Sequence, residues 1–220
     1  APAPYLDDAT RQGLCDSAMR LCAHVGYVGA GTVEFLLDAD SGAFYFIEVN
    51  PRIQVEHTVT EEVTGIDIVK AQIRVTEGAR IGEEGSIVPP QSQIRLNGHA
   101  LQCRVTTEDP ENGFAPDYGK LTAYRSASGM GVRLDGGTAY AGAVITPYYD
   151  SLLAKVIAYG KDRDEALTRM RRVLDEMIIE GISTTASFHR GLLDNDFFLR
   201  GDIHTTFVET VYRGEASTEN

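Results

Sequence analysis

At 220 residues, with 43% hydrophobic and 24% charged side chains, the sequence is that of an ordinary globular protein able to bury one sizeable core or two small ones. Its 32 acidic against 20 basic residues give a formal net charge of −12, which excludes a nucleic-acid partner but not a nucleotide held through a cation. No apolar run approaches the ~18 residues of a membrane span, so no membrane partner is expected.

In chain order, Ala-Pro-Ala-Pro reads as a linker or a point inside a larger protein, and no charged-then-apolar leader opens the chain. Asp7 or Asp8 caps a helix expected to run to about Val25, with Gly26 as its stop. Leu14, Ala18, Leu21, Cys22 and Val25 form its apolar face, expected to pack on the element that follows. Cys15, Cys22 and Cys103 lack metal-site spacing and read as reduced thiols in a cytoplasmic protein, the first two on a buried helix face. Gly29-Ala30-Gly31 contains a G-x-G, but without a third glycine or a preceding strand it is weak evidence for a dinucleotide.

Residues 32–37 and 43–50 are rich in β-branched and aromatic side chains, and 38–42 is turn chemistry, so a β-hairpin is predicted. Alternation puts Phe44, Phe46, Glu48 and Asn50 on one face of the second strand, and Glu34 with Leu36 on one face of the first. A five-residue connection then gathers Glu34, Glu48 and Asn50 on a shared face, with Phe35 and Tyr45 opposite. Like charges so placed need a cation, and two carboxylates with an amide oxygen suit Mg²⁺. In the following loop, an extended backbone sends Arg52, Gln54 and Glu56 to one side, where they could hold a small planar anion and take a proton from it. Singly, these residues also read as edge-strand charges or a surface ion pair; their concentration beside an apolar strand favours a site. His57, with no second histidine at metal spacing, reads as structural.

A helical turn at 60–64 and a helix over 66–77 follow, the latter with Ile66, Val69 and Ile73 as its stripe. Glycines and prolines in 81–93 mark a boundary between units 1–80 and 94–220. In the second unit, strands are predicted at 98–107, 120–125, 131–134 and 151–159, with a loop over 108–119 and a turn at Gly136-Gly137. Asp162 and Glu165 form a capping box for a helix with Leu167, Met170, Leu174, Met177 and Ile178 inward. Ser183 or Thr184 caps a shorter helix ending at Leu193. The methionines read as core filler. Arg133, on a strand end after Gly129-Met130-Gly131, can approach a ligand closely, although a surface arginine is the commoner outcome. The fold class is α+β.

The run Phe46-Ile47-Glu48-Val49-Asn50-Pro51-Arg52-Ile53-Gln54-Val55-Glu56-His57 closely resembles the signature of the biotin carboxylases, members of the ATP-grasp superfamily. The resemblance extends through His99-Ala100-Leu101-Gln102-Cys103-Arg104, Glu108-Asp109-Pro110, Gly131-Val132-Arg133 and Pro147-Tyr148-Tyr149-Asp150. Residues 57–61 and 101–110 are most similar to the pyruvate carboxylase branch, and 148–155 and 179–185 to the acetyl- and acyl-CoA carboxylase branch. The resemblance implies the C-terminal part of an ATP-grasp domain followed by a mixed α/β biotin carboxylase C-terminal domain. The implied reaction is carboxylation of biotin by ATP and bicarbonate, with Mg²⁺ or Mn²⁺ as cofactor and biotin on a separate carrier domain or protein. It implies metal ligation by Glu34 and Glu48 with Asn50 beside them, and apolar adenine contacts from Leu36, Ile47 and Ile203. Bicarbonate falls to Arg52, Gln54, Val55 and Glu56, with Glu56 as the base and Arg52 and Arg133 near the carboxyphosphate and the biotin ureido oxygen. The upstream half of the same domain and a homo-oligomeric assembly are the further partners expected. A complete family member also has an N-terminal domain, a glycine-rich lid and ATP-binding lysines, so these 220 residues alone are expected to be inactive. Another ATP-grasp ligase would share Glu34, Glu48 and Asn50 without reason to keep Glu56 and Arg133; a non-catalytic assembly fragment is the other alternative.

Overall fold

The Asp7 carboxylate accepts a 2.7 Å hydrogen bond from the Thr10 N–H and starts helix α1 (Asp8–His24), which ends where Gly26 takes a left-handed conformation. A computed structural model describes residues 1–137 and 139–212 and divides the chain into two compact units, Ala1–Asn97 and Gly98–Asn220. In contrast to the expectation from its apolar stripe, α1 buries no residue: Cys15 and Val25 are exposed and Cys22 is half-buried. Contact with the hairpin falls instead at Gly13, where an added Cβ would sit 3.3 Å from the Phe44 ring.

The hairpin pairs β1 (Thr32–Leu37) with β2 (Phe44–Asn50), antiparallel. Near the turn Leu37 faces Phe44, Leu36 faces Tyr45 and Phe35 faces Phe46; a bulge at Ile47 then shifts the register, so Glu34 faces Glu48 and Thr32 faces Asn50. The bulge reverses the alternation of β2 halfway along its length. Phe44 and Phe46 therefore lie with Phe35, their rings edge-on at 5.6 and 6.3 Å, and not with Glu48 and Asn50 as regular alternation predicts. Tyr45, expected opposite the carboxylates, pairs with Leu36 on their face. Helices α2 (His57–Thr64) and α3 (Ile68–Thr76) follow, α3 capped by Asp67. Thr58, Val63 and Ala71 are buried there, whereas Val69 and Ile73 of the predicted stripe are exposed.

The second unit opens with β3 (His99–Thr106) and the short strands β4 (Glu108–Asp109), β5 (Ala115–Pro116), β6 (Gly119–Lys120) and β7 (Ala123–Arg125). It continues with β8 (Val132–Gly136), β9 (Val144–Ile145), β10 (Leu152–Gly160), helix α4 (Arg163–Glu176), β11 (Ile178–Glu180) and helices α5 (Ala186–Leu192) and α6 (Asp196–Arg200). A three-stranded antiparallel sheet of order β3-β10-β8 is its frame, with β10 central; β7 pairs with β11, β4 with β5 and β6 with β9. Cys103, Val105, Val156 and Ala158 from one sheet face meet Leu167, Met170, Val173 and Leu174 of α4 in the main core. Burial pushes the Cys103 thiol up to about 12, so it behaves as an apolar filler. Gln102, Arg104, Arg133, Asp135 and Lys155 line the opposite sheet face around the buried Ile157.

Helix α4 begins as its capping box predicts: Asp162 accepts from the Glu165 N–H at 2.9 Å, and Glu165 reaches back to the Lys161 N–H. It is shorter than its apolar pattern, because Met177 is extended and Ile178 enters β11 opposite Arg125. Gly136 likewise is the last residue of β8 and not a turn. Arginines on α4 donate to backbone carbonyls around it: Arg163 to Phe198 and Leu199, Arg169 to Tyr159, Arg171 to Leu193 and Arg172 to Ser128. Neither Ser183 nor Thr184 caps α5; Thr185 precedes it, and its hydroxyl accepts from the Thr106 N–H at 2.9 Å, tying α5 to β3. Among the described residues no helix is long and apolar enough to cross a membrane.

Candidate functional site

Two carboxylates directly opposed on a hairpin repel unless something bridges them. Here the bridge is Asn50, whose Nδ2 donates to Glu34 Oε1 at 2.8 Å and Glu48 Oε1 at 3.0 Å. Gln54 Nε2 donates to the same Glu34 oxygen at 3.1 Å, and Arg52 Nη2 donates to Asn50 Oδ1 at 3.3 Å. Glu34, Glu48, Asn50, Arg52 and Gln54 thus form one connected polar cluster. The bulge makes this arrangement economical, since it separates the carboxylates from the Phe35–Phe44–Phe46 rings, against which burial would penalise their charge.

The loop is less extended than its alternation implies. The Arg52 N–H donates to the Asn50 carbonyl, and the His57 N–H to the Gln54 carbonyl, so Val55 and Glu56 already belong to the turn entering α2. Glu56 occupies the N-cap position with helical backbone angles, half-buried, and its side chain does not cap the helix. The extended run expected over Arg52–Glu56 thus ends before Glu56. His57 is engaged structurally, its Nδ1 2.8 Å from the Gln54 carbonyl. Leu36 is on the carboxylate face and Ile47 is the bulged residue; both are about half exposed, at 49% and 53%.

One atom of the cluster stands out. Gln54 Oε1 is buried with no hydrogen-bond partner among the described residues, a state that costs about 1–3 kcal/mol and marks an acceptor able to take a donor from a ligand. Among the described residues no group of three or more His, Cys, Asp or Glu could hold a metal ion. The donors at hand are two carboxylates and an amide, which fits a cation such as Mg²⁺ that keeps further positions for water and phosphate. To offer oxygen to such an ion, the Asn50 amide must turn over, because it presents nitrogen to both carboxylates.

In the second unit Arg133 lies on β8, half-buried, with Asp135 gripping it side-on: Nε to Oδ1 at 2.9 Å and Nη2 to Oδ2 at 3.1 Å. Lys155, opposite on β10, places Nζ 3.1 Å from the same Oδ2. Burial works against ionisation of Asp135, but Arg133 and Lys155 outweigh it and hold the carboxyl below its ordinary range. Sequence reasoning singled out Arg133 and passed over Asp135 and Lys155; the i, i+2 spacing of Arg133 and Asp135 on a strand was the available signal. Gly131, at φ +71°, allows the approach to β8: a Cβ there would lie 2.5 Å from the Tyr159 carbonyl. Ile203 lies beyond α6 in the same unit and is 42% exposed.

Residues 1–84 match the family model described as carbamoyl-phosphate synthase L chain, ATP binding domain, and residues 102–210 match the biotin carboxylase C-terminal domain. The chain is 51% identical over 209 residues to mitochondrial pyruvate carboxylase of Homo sapiens, covering 95% of this chain and 17% of the relative. It is 46% identical over 210 residues to biotin carboxylase 1 of Bacillus subtilis (strain 168), covering 96% of this chain and 45% of that one. A solved structure of the complete multifunctional pyruvate carboxylase from Rhizobium etli superposes with a TM-score of 0.93 at 59% identity, covering 97% of this chain and 21% of that chain. The chain thus spans less than half the length of each of these relatives.

Proposed function

Because the chain belongs to the biotin carboxylase family, as the C-terminal part of its ATP-grasp region followed by its C-terminal domain, we propose that it serves ATP- and bicarbonate-dependent carboxylation of biotin within a larger carboxylase. The observation that carries this reading is the cluster in which Asn50 joins the opposed Glu34 and Glu48 carboxylates and Gln54 adds a buried, unpartnered acceptor. Glu34, Glu48 and Asn50 would hold Mg²⁺ or Mn²⁺, which neutralises charge on the phosphate oxygens of ATP. Leu36, Ile47 and Ile203 offer apolar contacts to the adenine. Arg52, Gln54 and the backbone at Val55 orient bicarbonate, leaving its hydroxyl hydrogen to Glu56. Glu56 takes the proton as bicarbonate attacks the terminal phosphate. Arg133 supports the negative charge that develops on the biotin ureido oxygen.

Identity to the human pyruvate carboxylase, 51%, exceeds that to the Bacillus biotin carboxylase, 46%, and favours pyruvate as the final acceptor. A biotin carrier domain, the upstream part of the ATP-grasp domain and a homo-oligomeric assembly complete the proposed setting, with residues 81–93 joining the two parts of this chain. A cytoplasmic location is part of the same reading, supported by the free thiols of Cys15, Cys22 and Cys103.

The test is Glu56→Gln in the full-length carboxylase. Loss of a general base costs about 10²–10⁴ in rate, so carbon transfer to biotin should collapse while ATP still binds. Full activity of the variant would defeat the assignment. In the same assay the isolated 220-residue chain should cleave no ATP in response to bicarbonate, because it supplies the carboxylate hairpin without a phosphate cradle.

A further inference from the structure

An arginine that stabilises charge in a transition state is useful only if its guanidinium plane is set beforehand. Free in solution, the side chain samples many rotamers, and each must be given up when it binds. Arg133 also lies on β8, an edge strand of the sheet, with a neighbouring strand on one side only among the described residues. The structure supplies a brace: Asp135, two residues along on the same face, grips Nε and Nη2 together, with distances of 2.9 and 3.1 Å. Such side-on pairing fixes the plane of the fork as well as its position.

A lone carboxylate in that role would cancel the charge it positions. Lys155 answers this, because its Nζ is 3.1 Å from the oxygen that Arg133 Nη2 also uses, and its side chain is only 12% exposed. Two cations share one anion, and the cluster keeps a net positive charge. Lys155 sits on the central strand β10, paired with Asp135 and flanked on its other side by Arg104, so its backbone is held from both edges. The order of support runs from the rigid strand outward: β10 holds Lys155, Lys155 and the β8 backbone hold Asp135, and Asp135 holds Arg133.

We propose that Asp135 is the positioning residue for Arg133, and that Lys155 is the counter-charge that keeps the positioned pair cationic toward an anionic ligand. The proposal rests on the reading of Arg133 given above. It predicts that disturbing Asp135 affects transfer to biotin more than cleavage of ATP.

The experiment uses the full-length carboxylase with free biotin as acceptor and measures the ratio of biotin carboxylated to ATP cleaved, together with the thermal midpoint. Asp135→Asn should lower the ratio by about tenfold to a hundredfold, the scale of a misplaced reacting partner. Arg133→Ala should lower it as well, and the double variant should fall no further than Arg133→Ala alone, since Asp135 acts through Arg133. If Asp135→Asn does not fold, Asp135→Glu serves: it keeps the charge balance but displaces the carboxylate by a methylene, so the ratio should fall with the thermal midpoint held. A normal ratio in whichever Asp135 variant folds, with a lowered ratio in Arg133→Ala, overturns the positioning role alone. A double variant worse than Arg133→Ala by the full factor of the Asp135 change does the same. A normal ratio in Arg133→Ala overturns the role of Arg133 and, with it, the proposal.

Discussion

At the scale of single residues, Asn50 does more than add an oxygen donor to a list. Its Nδ2 is the hydrogen-bond bridge between Glu34 and Glu48, and its Oδ1 accepts from Arg52, so one amide links both carboxylates to the start of the loop. Removing the amide leaves like charges opposed across the ladder. Hydrogen bonds to charged groups are worth about 1.5–3 kcal/mol, so Asn50→Ala should lower stability on that scale when measured by thermal unfolding in a chelator. Equal unfolding midpoints in the chelator would show that the amide carries no such load. The even spacing of Glu34, Glu48 and Asn50 made this residue visible in the sequence. Its role as a donor was not visible, because that depends on which end of the amide faces the carboxylates.

At the scale of elements, the hairpin was legible in type and in outcome but not in geometry. Regular alternation puts residues 44, 46, 48 and 50 on a single face, and a five-residue turn aligns that face with Glu34. The actual ladder closes at Leu37–Phe44, one position away from that register, and the bulge at Ile47 adds a second position, which returns Glu48 and Asn50 to the face of Glu34. Two departures cancelled for the acidic residues and did not cancel for Phe44, Phe46 and Tyr45. A bulge leaves no mark in a hydrophobic pattern of seven residues, which is why it was missed. Helix α4 shows the opposite case: its cap was readable from Asp162 and Glu165, while its end was overridden by the pairing of β11 with β7. The apolar stripes of α1 and α3 mark a face in each helix, yet Val25, Val69 and Ile73 are exposed, because periodicity reports a face and not what covers it. The glycine before β8 provides a test at this scale. Gly131→Ala combines a positive φ with a Cβ 2.5 Å from the Tyr159 carbonyl, so it should destabilise by about 1–3 kcal/mol in a denaturant titration. A change within experimental error would mean that the loop accommodates a side chain there.

At the scale of the molecule, charge state and stability are linked through His99. Burial lowers its pKa from 6.5 to about 4, so the folded chain keeps it neutral where the unfolded chain would protonate it. The associated stability is fully present above the unfolded value and is lost as pH falls from 6.5 toward about 4, with a slope of up to ~1.4 kcal/mol per pH unit. Thermal midpoints of the parent and His99→Gln chains should therefore converge between pH 7.5 and 4.5, and a constant gap would contradict the linkage. The arginines of α4 have a consequence in the order of synthesis. Ser128, whose carbonyl Arg172 holds, precedes that arginine by 44 residues. A ribosome adding 5–20 residues per second makes the loop before β8 roughly 2–9 s ahead of the side chain that pins it. For most of that interval β10, the strand that pairs with β8, is also still to be made, so Met130 and its flanking glycines have neither the ladder nor the arginine to steady them. Nascent chains arrested before Arg172 clears the exit tunnel should be cut by protease between 126 and 131, and chains arrested well beyond α5 should resist. The stretch leading to Arg133 is thus made early and secured late.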